Sequence, residues 1–138
     1  MNGLHILAEF HDCAGERRLL LDAGELAALC RAACTGAGLE VVAAAFHQFP
    51  DAGATGALVL AESHLAVHTW PEIDAVTLDL YVCNHSRDNR ESAEAAYETL
   101  RAALRPRRTV RRDVRRGEVG RHAGGADFGL ASQASTVD

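Results

Sequence analysis

Residues 75–83, AVTLDLYVC, alternate strictly. Val76, Leu78, Leu80 and Val82 take every second position, with Thr77, Asp79 and Tyr81 between them. Successive side chains of a strand point to opposite faces, so this run is a strand with one buried face and one polar face. A sheet built from such strands has to be covered on its apolar side. Two helical stretches supply the cover. Asp22 stands three residues before Glu25, the spacing of a capping box, and opens a helix over 23–35 with Leu26, Leu29, Cys30 and Ala33 on one face. Gly36 and Gly38 end it. A second helix spans 88–104, with Ala93, Ala96, Tyr97, Leu100 and Leu104 on one side, and Pro106 stops it.

The other strands are 4–10, 39–47, 57–62, 63–70 and 108–116. Between them lie a turn over 11–18 centred on Gly15, a loop over 49–56 marked by Pro50 and two glycines, and a break at Pro71. Links between successive strands are short, which favours antiparallel pairing. The expected fold is α+β: a two-layer sandwich, mainly antiparallel, with two helices on one face. Two helices cannot cover both faces of a broad sheet, so the free face is expected to meet a second copy and make a dimer. The 138 residues suit one domain. It is placed at 1–116, and 117–138, rich in Gly, Ala, Ser and Asp, is read as a loose tail.

All fourteen basic residues are arginine; the chain has no lysine. That excludes a pyridoxal-phosphate enzyme, a P-loop and a Schiff base on a lysine of the protein itself. Net charge is −5, which demands neither nucleic acid nor a membrane surface. Nine of the arginines crowd into residues 101–121. Without aromatic residues among them, RTVRRDVRR (108–116) reads as a solvated edge strand rather than a nucleic-acid patch. No apolar run approaches the roughly 20 residues that span a bilayer. The N-terminal MNGLHILAEFHD lacks a basic segment before its apolar stretch, so a cytoplasmic location is expected. Cys13, Cys30, Cys34 and Cys83 form no paired framework and are read as free thiols.

The chemistry concentrates in GATGALVLAESHLAVHTWPE, residues 53–72, where Glu62, Ser63, His64, His68, Thr69, Trp70 and Glu72 fall within eleven positions. A serine hydrolase would need an elbow around Ser63 that the sequence lacks. A metal held by His64 and His68 is disfavoured, because four residues along a strand separate them by about 13 Å; no metal site is expected. A third reading starts from the Glu62–Ser63 bond. A serine hydroxyl attacking its own preceding carbonyl gives an ester, and β-elimination then cuts the chain and leaves a pyruvoyl group at the new N-terminus. That ketone forms a Schiff base with a substrate amine and needs neither lysine nor pyridoxal phosphate.

ESHLAVHTWPE (62–72) resembles the processing motif of the S-adenosylmethionine decarboxylase proenzymes of bacteria and archaea. LHILAEF, FHQF (46–49), TGALVLAE (55–62) and LDLYVC (78–83) are similar to that family's pattern in order and spacing, and the resemblance covers about residues 3–115. It implies cleavage between Glu62 and Ser63, with Ser63 as pyruvoyl precursor and covalent pyruvate as the only cofactor. It implies His68 as the processing base and Cys83 as the acid that reprotonates the substrate carbon, since a thiol keeps its proton at neutral pH. Thr55 stands where many relatives have a processing serine. Phe49 and Trp70 are candidates to stack on adenine, and Glu72 to accept hydrogen bonds from ribose hydroxyls. Asn84 departs from the glycine that often follows the cysteine. On an unbroken strand Ser63 and His68 face opposite ways, and the resemblance favours sites shared across a two-fold, an (αβ)2 assembly. The implied reaction is decarboxylation of S-adenosylmethionine to the aminopropyl donor of spermidine synthesis. The alternatives are a pyruvoyl-dependent arginine or ornithine decarboxylase and a homologue that is never cut.

Overall fold

A computed structural model describes residues 2–85 and 87–117, and the backbone of 132–137. In chain order the elements are β1 (Gly3–Cys13), α1 (Arg18–Leu21), α2 (Ala23–Gly36), β2 (Val41–Gln48), β3 (Ala54–Leu60), β4 (Ser63–Trp70), one 3-10 turn (Pro71–Ile73), β5 (Ala75–Cys83), α3 (Arg90–Leu104), β6 (Pro106–Arg116) and β7 (Ser132–Val137). The strands make one sheet in the order β2-β3-β4-β5-β1-β6-β7, and every neighbouring pair is antiparallel. The expected α+β two-layer sandwich is therefore present, with α1 as an addition to the two expected helices.

The layering follows from the alternation. Val76, Leu78, Leu80 and Val82 of β5, Ile6, Ala8 and Phe10 of β1, and Leu65 and Val67 of β4 are buried together. They pack under Leu26, Cys30, Ala33 and Cys34 of α2 and under Ala93, Ala96, Tyr97, Leu100 and Leu104 of α3. The Asp22 carboxylate accepts from the Glu25 backbone N–H at 2.9 Å, which satisfies one of the free donors of the first turn of α2. Gly38 takes φ +82° after the helix end, where a side chain would be strained. Gly56 has a different reason. A Cβ there would lie 2.0 Å from the Phe46 ring, which crosses it from the paired position on β2.

Four expectations need correction, the first being that the strand expected at 57–62 is Ala54–Leu60, which shortens the loop before it and leaves Ala61 and Glu62 as a turn. The Arg-rich segment is not an edge strand, because β6 pairs with β1 on one side and β7 on the other. Arg111 turns towards α3, where its guanidinium bonds Asp113 and Glu94 and lies 4.5 Å from the centroid of the Tyr97 ring. The partner strand comes from the stretch read as a loose tail, and Ser132–Val137 is strand β7; the rest of that stretch, 118–131, lies outside the described residues. Arg105, not Pro106, closes α3, with a left-handed backbone (φ +50°). Pro106 begins β6, a strand position where a missing N–H is tolerated.

Candidate active site

The sheet has a covered face and an open face. Thr69 of β4 points to the helices: its hydroxyl donates to the Leu20 carbonyl of α1 at 2.7 Å and accepts from the Ala54 N–H at 2.8 Å. By alternation His64, Ala66, His68 and Trp70 point to the open face. The same register puts Thr55 and Val59 of β3, Thr77, Asp79, Tyr81 and Cys83 of β5, and His5, Leu7 and Glu9 of β1 on that face.

The expected site residues fall into two groups at opposite ends of this surface. At one end the Thr55 hydroxyl and His68 Nδ1 are 2.9 Å apart, on residues directly opposed in the β3–β4 ladder. Trp70, Phe49 and Glu72 lie at the same end. Trp70 and Phe49 are each 44% exposed. Gln48 holds the Phe49 loop in place: its amide donates to the Leu21 carbonyl at 2.8 Å and to Gly53 at 3.2 Å, and its oxygen accepts from the Ala23 N–H at 2.6 Å. The Phe49 ring rests edge-on against His47, with centroids 4.7 Å apart. Between this end and the centre of the face, His68, Thr77, Leu7, Glu9, Asp79 and Arg112 border a groove of about 290 Å³.

At the other end lies the Glu62–Ser63 bond. Leu60 and Ser63 are paired, so Ala61 and Glu62 form a two-residue hairpin turn. Glu62 takes φ +64°, a conformation that costs a non-glycine residue roughly 1–2 kcal/mol. The Ser63 hydroxyl, half-buried, donates to the Ala61 carbonyl at 3.1 Å and so lies over the turn. The turn also borders a hollow of about 400 Å³ with Gly38, Arg87 and Asn89.

Cys83 ends β5 at this same end. His64 pairs with Tyr81, and the register carried on by two residues sets Cys83 across from Glu62. Cys83 is buried, 5% exposed. The Asn89 amide donates to the Cys83 carbonyl at 2.8 Å, and Asn84 Oδ1 accepts from the Asn89 N–H at 2.8 Å, pinning the segment. Asn84, the departure noted in the sequence, thus has a structural use. The other three thiols are free but held protonated by burial: Cys30 is pushed up to about 12, Cys34 and Cys13 to about 11.

One cluster escaped the sequence reading. His5 Nε2 and His64 Nε2 both lie 2.9 Å from the same Asp79 oxygen, Oδ2. His5 and His64 both sit opposite Tyr81, one on each flanking strand, so the middle strand's Asp79 stitches three strands together. Burial pushes the Asp79 carboxyl up, but the hydrogen bonds from the two imidazoles outweigh it and hold it below its ordinary value. Arg116 stacks on Tyr81 at 4.4 Å and reaches His5 Nδ1 at 3.2 Å. A guanidinium only donates, so His5 Nδ1 is the acceptor and its Nε2 carries the proton that Asp79 takes. The three groups are joined by hydrogen bonds, and their ligand atoms all lie within 4.8 Å of one another, a spacing that a cation could also share. The only hint in the sequence was that His5, His64 and Asp79 each occupy a polar position of an alternating strand. Which strands lie side by side could not be read.

Comparison with known proteins agrees with this geometry. The family profile described as S-adenosylmethionine decarboxylase matches residues 4–117. The S-adenosylmethionine decarboxylase proenzyme of Thermoplasma volcanium is 33% identical over 117 residues, 85% of each chain. That of Sulfurihydrogenibium sp. is 35% identical over 117 residues, 85% of this chain and 84% of its own. The crystal structure of the adenosylmethionine decarboxylase from Aquifex aeolicus superposes with a TM-score of 0.78 at 29% identity, covering 89% of this chain and 97% of that one. With an alternating sheet, a strained Glu62–Ser63 turn and relatives matched over most of their length, this chain belongs to the S-adenosylmethionine decarboxylase family.

Proposed function

We propose that the chain cuts itself between Glu62 and Ser63 and then decarboxylates S-adenosylmethionine. The observation that carries this reading is the turn. Glu62 is held at positive φ with the Ser63 hydroxyl over the carbonyl side of the hairpin, which favours attack by a residue on its own preceding carbonyl. Ser63 Oγ adds to the Glu62 carbonyl carbon, the amide C–N bond breaks, and the released amine takes a proton, leaving an ester. Loss of the Ser63 Cα proton then expels the Glu62 carboxylate. The resulting enamine shifts to an imine, and water converts it to a ketone as ammonia leaves. The pyruvoyl group so made is an electron sink for loss of CO2 from a substrate amine.

The chain's residues divide the remaining work. His68 takes a proton during processing. In the tautomer where Nδ1–H donates to Thr55, Nε2 has the free lone pair. Cys83 returns a proton to the substrate carbon after CO2 leaves. Phe49 and Trp70 offer exposed rings to the adenine, a stacking role that suits their exposure, and Glu72 accepts from the ribose hydroxyls.

Ser63 and His68 share one strand yet lie five residues apart, about 16 Å at the usual strand rise. They cannot meet within one chain. A second copy across a two-fold, laid on the open face, brings the Thr55–His68 end of one protomer to Cys83 and the Glu62–Ser63 turn of the other; Ser63, which strand parity turns to the covered side, reaches that face by swinging about the turn at the end of its strand. The apolar side chains of Leu7, Val59 and Trp70, exposed on that face, support such cover. Each homodimer then has two sites.

The test is intact mass under denaturing conditions on freshly purified protein. Two species, 1–62 and 63–138, are expected, with masses summing to about one dalton above the precursor through gain of water and loss of ammonia. Ser63→Ala is expected to stay whole, folded and inactive; full activity in that variant would end the proposal. Competition by adenosine analogues, absent with arginine or ornithine, checks the substrate.

A further inference from the structure

Cutting the chain at Glu62–Ser63 changes what holds residue 63. Before the cut it is tethered through Glu62 to the hairpin. Afterwards it is the first residue of a free chain end, and such ends fray. Its ladder contact is with Leu60 on β3. Pairing with β5 starts one residue later, at His64↔Tyr81, so His64 is the first residue of β4 held from both sides. Its side chain is also anchored, by the 2.9 Å bond from its Nε2 to Asp79, whereas the Ser63 hydroxyl that bonds Ala61 is lost when the pyruvoyl group forms. Asp79 is itself braced from the other side by His5 at 2.9 Å, which in turn meets Arg116. The rings of His5, His64 and Tyr81 pack with centroids 5.7–5.8 Å apart, so the His64 imidazole has a walled seat. Nothing in the processing chemistry uses this cluster.

We infer that Asp79 is a positioning residue for the reacting group at residue 63, acting through His64 once the chain has been cut. The inference rests on the proposed self-processing. In the proposed chemistry Asp79 and His5 act on neither substrate nor reacting atoms. The carboxylate fixes the His64 side chain, His64 fixes the peptide that joins it to residue 63, and that peptide sets which side of the ketone faces the substrate. A misplacement on the order of 1 Å at a reacting centre costs about 100-fold in rate, and loss of positioning in the bound state falls on kcat rather than KM.

The experiment compares the full-length chain with Asp79→Ala, His64→Gln and His5→Gln, following processing by denaturing mass and then steady-state kinetics with S-adenosylmethionine on the processed proteins. Processing is expected to go to completion in all three, because the intact chain still tethers residue 63. After processing, Asp79→Ala and His64→Gln are expected to lose about 10–100-fold in kcat with KM within about threefold. His5→Gln is expected to lose much less, since Asp79 still holds His64. Asp79→Asn, which keeps one acceptor oxygen for His64, is expected to recover most of the loss. Circular dichroism establishes that each variant is folded. Unchanged kcat in Asp79→Ala, an equal loss in His5→Gln, or a block at processing would each overturn the positioning role. A wild-type chain that stays whole would instead remove the self-processing on which it stands, and the two failures are told apart by that control.

Discussion

Thr55 and His68 face each other across the β3–β4 ladder, with the threonine hydroxyl 2.9 Å from the imidazole Nδ1. This contact fixes the ring's orientation and leaves Nε2 directed away from β3. The methyl of Thr55 is the difference from a serine at this position. Thr55→Ser is expected to process at least as fast as the wild type. Thr55→Val, which keeps the shape and removes the hydroxyl, is expected to slow processing at least tenfold, less than the roughly 100- to 10,000-fold that an acid–base group itself contributes, because His68 remains. A time course of intact mass after translation or refolding distinguishes them.

The separation of His68 from Ser63 along one strand makes complementation informative. Ser63→Ala and His68→Ala are each expected to stay whole when made alone. Made together, under the proposed two-fold arrangement, they are expected to form mixed dimers in which one site combines the intact Ser63 of the His68→Ala chain with the intact His68 of its partner. Cleavage of the His68→Ala chain alone, seen by mass, is the expected outcome. Absence of any cut in the mixture would place both groups in one protomer and contradict the two-fold site.

Arg111 is a structural residue in a segment that looks like a charged surface. Its side chain is 16% exposed, pairs with Glu94 and Asp113, and covers the Tyr97 ring. Arg111→Ala leaves two carboxylates without their cation and uncovers a buried aromatic ring. A loss of about 1–3 kcal/mol is expected, read as a lower denaturant midpoint with an unchanged slope. Arg112→Ala, whose side chain lies on the open face away from α3, is expected to cost less.

Asp79 also carries a pH dependence whose sign is fixed. Its folded value lies below its ordinary one because the His5 and His64 hydrogen bonds outweigh burial. A lowered carboxyl stabilises the fold fully above the unfolded value of roughly 4 and loses that contribution as pH falls through the folded value. Thermal unfolding of the wild type is therefore expected to weaken over this acid range more steeply than that of Asp79→Asn. Equal slopes would show that the cluster contributes nothing differential.

Much of this molecule was present in local pattern. The alternation of 75–83 became β5 over Ala75–Cys83, and Asp22 capped α2 through Glu25 as its spacing implied. The apolar face of α3 was right at every named residue. These features depend on neighbours within a few positions, and the periods of helix and strand make them visible in one dimension. The motif ESHLAVHTWPE was equally legible, as was the opposite facing of Ser63 and His68, because strand parity is a property of the sequence alone.

What the sequence left open concerns pairing across distance. That β6 is interior followed only from Ser132–Val137 returning to it, and no local signal in RTVRRDVRR distinguishes a strand with one neighbour from a strand with two. That His5, Asp79 and His64 converge followed from β5 lying between β1 and β4, which sets residues 74 and 15 positions apart at 2.9 Å. By itself the sequence determined most of the elements, their buried faces and the motif that carries the family resemblance, since these are written in short-range periodicity and side-chain chemistry. Tertiary structure alone decided which strands are neighbours, and so which polar groups bond one another and at which end of the sheet each expected site residue lies, because hydrogen-bond register between strands is a relation between distant segments that only the folded sheet defines.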